Sequence, residues 1–110
     1  MTINEEITVF QELTAQMSET FAKKRHDYGQ TTEETYKKFG PVSMLTRMHD
    51  KIGRLDNLLA SGDKNYVEDE RVEDTLLDLA NYALITILEM RKADVRVKEY
   101  VAGNSYVRTK

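Results

Sequence analysis

Three stretches of this chain repeat apolar residues at alternating intervals of three and four, and that period leaves room for little except helices. The first stripe runs Ile3, Ile7, Phe10, Leu13, Met17 and Phe21. The second runs from Met44 or Leu45 through Met48, Ile52, Leu55 and Leu59. The third, Val72, Leu76, Leu79, Ala83, Ile87 and Met90, is widened by Leu77, Ala80, Leu84 and Leu88 until it covers much of a helical circumference.

Boundary signals agree with the stripes. Thr2 with Glu5 forms a capping box, and Gly29 suits a left-handed terminating residue, so the first long helix is expected over roughly residues 3 to 27. Thr31 with Glu34 makes a second box, and Gly40 with Pro41 closes that segment about two turns later, giving a short helix or helical loop. The second long helix follows Pro41 and stops at "SGDKN"; the third runs from about Asp69 to Lys92. Beyond Asp94 the alternation around Val95 and Val97, then Gly103 and Asn104, suits a short extended segment or an arm.

The expected fold is therefore all-α: an antiparallel bundle of three long helices plus one short helix over residues 1–93, with 94–110 as a C-terminal arm or extended tail. At 110 residues the chain has material for one core. Three helices cannot enclose the apolar breadth of residues 79 to 90, so a homo-oligomer, at least a dimer, is expected to complete the bundle.

Composition narrows the function classes. With no cysteine, thiolate nucleophiles, disulfides and Cys-ligated zinc are absent. A formal charge of −3 exerts no general pull on duplex DNA or an anionic membrane, so any phosphate-binding surface must be local. "MTINEEITVF" has neither the basic nor the apolar region of an export signal, which makes the cytoplasm the expected compartment. No glycine-rich phosphate loop or serine elbow occurs. His26 and His49 sit among charged neighbours and read as surface residues.

What remains is a pattern of acids and bases. Glu70, Asp74, Asp78 and Asn81 follow i, i+4, i+8 and i+11 on the third helix, with Glu73 beside them. Glu70, Glu73 and Asp74 can be ordinary helix-start acids, whereas Asp78 and Asn81 lie two to three turns in, where the dipole no longer rewards them. On the second helix Arg47, Lys51 and Arg54 share one face, with Asp50 adjacent and Gly53 lowering the wall between. Two readings compete for a seam between these helices. In one, the cations simply neutralise Asp74 and Asp78. In the other, Glu70, Glu73, Asp74 and Asp78 hold Mg2+ while Arg47, Lys51, Arg54 and Lys24 hold phosphate. Tyr28, at the "KKRHDYG" turn, either stacks on a base or covers the bundle end; Tyr82 poses the same choice, and Asn81 is a candidate for base contact.

"KKRHDYG", "FGPVSMLTRMHDKIGRLDNLL" and "VEDTLLDLANYALI", in this order over roughly residues 21 to 90, resemble the small helical phage and bacterial family called nucleotide-modification-associated domain. The resemblance implies helices throughout, a prokaryotic or phage setting (hence the host cytoplasm for a phage protein) and a link to nucleotides. "EDTLLDLANYALI" is also loosely similar to the last catalytic helix of MazG-type all-α nucleoside triphosphate pyrophosphatases. That likeness implies Mg2+ held by acids on two facing helices. Asp78 matches the later acid, Thr75 stands at the earlier ligand position so that Asp74 or Glu73 must substitute, and Asp50 is the one acid comparable to the paired glutamates of the preceding helix.

The leading expectation is a nucleotide-binding protein, with Mg2+-dependent hydrolysis through Asp78, Asp74 and Glu73 as its extension. The alternatives are a non-catalytic protein that sequesters or senses a nucleotide signal, as an anti-defence protein does, and a plain oligomeric interaction module.

Overall fold

The computed structural model describes residues 1–28, 31–60 and 67–100, with side chains placed at 1–26, 31–60 and 72–94. The described residues are helical almost throughout, in four elements: α1 (Ile3–Tyr28), α2 (Thr31–Phe39), α3 (Val42–Ala60) and α4 (Val67–Tyr100). None of the described helices is long and apolar enough to cross a membrane.

Local chemistry sets the ends. The backbone N–H of Thr2 donates to Glu5 Oε1 at 2.7 Å and the N–H of Glu5 donates to Thr2 Oγ1 at 3.1 Å, the reciprocal pair of a capping box. Gly40 has φ of 74°, a left-handed conformation that a side chain resists, and its N–H closes α2 on the carbonyl of Tyr36 at 2.7 Å. Pro41 then starts the next helix, accepting from the N–H groups of Met44 and Leu45 at 3.0 Å each, while Ser43 Oγ donates to the Gly40 carbonyl at 2.8 Å. Gly29, the expected terminator of α1, lies outside the described residues.

Packing is uneven. α3 and α4 run antiparallel, since Arg47 meets Tyr82 and, one turn further along α3, Lys51 meets Asp78 one turn earlier on α4. Tyr36 of α2, Met44 of α3 and Thr75 of α4 are the buried centre of this part of the molecule. α1 leans on α4 through its C-terminal half, where Asn81 Nδ2 donates to the Met17 carbonyl at 3.3 Å. The N-terminal half of α1 is uncovered: Ile3 is 75 % and Phe10 68 % exposed.

One sequence expectation needs correction. Residues 94–100 are helical, not extended, because α4 continues to Tyr100. Adding residues to a formed helix fixes one residue per hydrogen bond and is far easier than nucleating a new element, so the valine alternation does not prevail. Residues 101–110, the rest of the expected arm, lie outside the described residues. Gly53 is exposed, with open space where a side chain would stand.

Candidate functional site

Where α1 ends, α2 begins and α3 and α4 face each other, the four helices leave a cleft of about 270 Å3 lined by Phe21, Lys24, Arg25, Thr31, Thr32, Arg47, Asp78, Asn81, Tyr82 and Ile85. Each element contributes by its own periodicity. Phe21, Lys24 and Arg25 occupy the last turns of α1, Thr31 and Thr32 open α2, and Asp78, Asn81, Tyr82 and Ile85 follow the helical repeat of α4. With its first turn bordering the cleft, α2 adds its positive dipole end to the cationic side chains.

Charge is unbalanced there. Among the described residues, three cations and one carboxylate line the cleft. Asp78 faces Lys51 through Oδ2 at 3.2 Å and Lys24 through Oδ1 at 3.8 Å, so both of its oxygens already look at ammonium groups. These pairs are partly exposed, Lys24 by 54 %, and such pairs contribute at most about 1 kcal/mol each, so an incoming anion can displace them. Arg47 meets no carboxylate among the described residues; its Cζ lies 6.0 Å from the centre of the Tyr82 ring, which holds the guanidinium without neutralising it.

Beneath this wall lies a second ionic network. Arg25 reaches Glu33 of α2 at 3.5 Å, Lys92 of α4 reaches Glu33 at 3.3 Å, and Lys92 also stands 2.9 Å from Glu89 Oε2. Lys92 is hydrogen-bonded to Glu33 and, with the nearby charges of Lys37 and Arg25, holds its carboxyl below the ordinary value of 4.5 against the opposing effect of burial. Glu89 has no solvent exposure, and apart from the Lys92 ion pair neither of its oxygens has a well-formed hydrogen bond. Removing the partner of a buried charge costs about 3–5 kcal/mol, so Lys92 is held in place by Glu89 while it ties α4 to α2. The network fixes the mutual positions of α1, α2 and α4, and with them Arg25 in the cleft.

The expected site residues separate into those brought together and those kept apart. Lys24, Arg47, Asp78, Asn81 and Tyr82 line one cleft, and Lys51 borders it through Asp78. Glu73, Asp74 and Arg54 are exposed and not among its lining residues. The side chains of Glu70 and Tyr28 lie outside the described residues. Among the described residues no three carboxylates or histidines gather as a metal site would require. Asp50 and His49 are exposed on α3, and His26 is exposed on α1. Phe21, Arg25, Thr31, Thr32 and Ile85 were not singled out as site residues by sequence reasoning. Arg25 had a signal in the basic run "KKR", whereas Thr31 read as a capping-box residue and nothing more.

The family of this chain is shown by comparison: residues 24–90, more than half of the chain, match the family described as nucleotide modification associated domain 1. The chain belongs to that family. The likeness to MazG-type pyrophosphatases gains no support from this match. Comparison with curated proteins and with solved structures gives no match.

Proposed function

We propose that the cleft binds a nucleotide, with Lys24, Arg25 and Arg47 on its phosphates and Phe21, Tyr82 and Ile85 against its base or sugar. The observation that carries this reading is the surplus of cations over carboxylates among the described lining residues of a cleft whose other walls combine Phe21, Tyr82 and Ile85 with the polar Thr31, Thr32 and Asn81. A volume near 270 Å3 lies at the small end of ligand pockets, which span about 300–1,000 Å3, and suits one nucleotide better than an oligonucleotide. Family membership points the same way through its description, which concerns nucleotides. Asn81 spends its amide on the Met17 carbonyl, so its remaining polar atoms are the ones offered to a base.

Binding is better supported than hydrolysis. The one carboxylate among the described lining residues, Asp78, faces two lysines, a donor set that favours an anion over a resident cation. In this reading Mg2+ is a companion of the bound phosphates, not a fixture of the protein, and the chain sequesters or senses its nucleotide in the cytoplasm of a bacterium or a phage-infected cell.

The experiment is a thermal-shift panel of nucleoside mono-, di- and triphosphates and cyclic nucleotides, each with Mg2+ and with EDTA, alongside product analysis. Nucleotides are expected to stabilise the protein and their dephosphorylated nucleosides are not. A nucleotide at one hundred times its dissociation constant adds about 2.7 kcal/mol. Arg47→Ala is expected to weaken binding about tenfold or more, the loss of a charge-assisted contact worth about 1.5–3 kcal/mol. Turnover that requires Mg2+ and vanishes in Asp78→Asn establishes hydrolysis instead; no response to any compound removes the nucleotide reading.

A further inference from the structure

The N-terminal half of α1 presents an uncharged stripe to solvent. Ile3, Ile7, Phe10, Thr14, Met17 and Phe21 lie on one face at intervals of four and three, whereas Glu5, Glu12 and Glu19 recur every seven residues on the opposite face. Only the later part of this stripe has a neighbour. From Thr14 to Phe21 it forms one wall of a groove of about 300 Å3 whose other wall is Asn81, Leu84, Ile85 and Leu88 of α4. Ile3, Ile7 and Phe10 continue the stripe as an uncovered ridge, and Leu84, on the groove's far wall, is 52 % exposed. An exposed ridge and an open apolar groove thus lie end to end on one helix.

We infer that this face is the interface of a homodimer in which the Ile3–Phe10 ridge of each copy fills the Thr14–Phe21 and Leu84–Leu88 groove of the other. The area fits a second copy. The chain as a whole exposes 8616 Å2, whereas a compact monomer of 12.7 kDa exposes roughly 6,200 Å2; the Ile3–Phe10 ridge and the groove walls supply part of that excess of roughly 2,400 Å2. Its radius of gyration is 17.8 Å against about 13 Å for a compact domain of this length. A stable interface needs about 800 Å2 from each partner, well within that excess. Self-complementarity fits too: a two-fold contact requires one surface to carry both halves of the match. Antiparallel pairing of α1 with its copy sets Ile3 against Phe21 of the partner subunit, Ile7 against Met17 of the partner subunit and Phe10 against Thr14 of the partner subunit. The bulkiest ridge residue thereby meets the smallest groove residue. An anionic lipid surface is a poorer occupant, because α1 carries no lysine or arginine before Lys23.

The consequence reaches the cleft. Phe21, Asn81 and Ile85 line both the groove and the basic cleft, so the incoming N-terminus closes the cleft's apolar end.

The test is molar mass by light scattering over a concentration series, with helicity followed by circular dichroism. The wild-type chain is expected to be a dimer at micromolar concentration. Phe10→Glu and Leu88→Lys, each on a partly exposed residue, are expected to give helical monomers. Mixing the two variants is expected to restore dimers, because one ridge and groove remain native and the other pair brings a glutamate to a lysine. A monomeric wild type, a Phe10→Glu variant that stays dimeric, or a mixture that stays monomeric overturns the proposal. None of these readouts uses a nucleotide, so they stand or fall apart from the cleft's function.

Discussion

Lys92 sits between two carboxylates with different surroundings. Glu89 is wholly removed from water, while Glu33 keeps some solvent contact, and the same ammonium group serves both. Because the folded-state value of Glu33 is lowered from the ordinary 4.5, its contribution to stability is complete above that value and is lost as pH falls through the folded one. Glu33→Gln is therefore expected to flatten the acid side of the stability profile below about pH 4.5 and to leave its slope near neutrality unchanged, read from urea midpoints across pH 3 to 7. None of this was legible in the sequence. Glu33 takes Arg25 and Lys92 from other helices, which only the fold brings to it, and although Lys92 lies one turn from Glu89, no local pattern shows that Glu89 is buried.

At the scale of elements, two glycines answer to opposite rules. Gly40 holds a left-handed backbone at the turn between α2 and α3, where any Cβ is strained even though space is open around it. Gly53 is mid-helix on α3, with open space around it and no positive φ. Alanine at position 40 is expected to cost about 1–2 kcal/mol. Alanine at position 53 is expected to add up to about 1 kcal/mol through helix propensity alone. Denaturant unfolding of the two variants checks both signs, and a destabilised Gly53→Ala would reveal a neighbour on that face. Helix boundaries were largely readable because their causes are local: the Thr2–Glu5 box and the Gly40–Pro41 stop act within a few residues. The continuation of α4 past Asp94 was not, because an alternating sequence states a preference that an already formed helix overrides.

For the whole molecule, the apolar surface that α1 and α4 leave exposed, Phe10 at 68 % and Leu84 at 52 % among it, is unfavourable in an isolated chain. If a second copy covers it, folding and association are linked, and the unfolding temperature must depend on concentration. Tenfold dilution of the wild-type protein changes the association term by about 1.4 kcal/mol and is expected to lower the unfolding temperature by about 3–6 °C, at about 2–4 °C per kcal/mol for a molecule of this combined size. Phe10→Glu is expected to melt at a concentration-independent temperature, measured by differential scanning calorimetry. The same scale explains the cleft. Lys24 and Asp78 are far apart in the chain, and only the crossing of α1 over α4 sets them 3.8 Å apart.

By itself, then, the chain determined its helices, the facing of Arg47 and Lys51 on one side of α3 and the placing of Asp78 and Asn81 on one side of α4, because periodicity and capping are short-range effects written in neighbouring residues. Tertiary structure alone decided that Glu73, Asp74 and Arg54 stay in solvent while Phe21, Arg25, Thr31 and Thr32 join Arg47 and Asp78. The reason is physical: which polar edges meet depends on how four stiff helices cross, and crossing geometry is set by the summed packing of side chains distant in sequence, which no local pattern encodes.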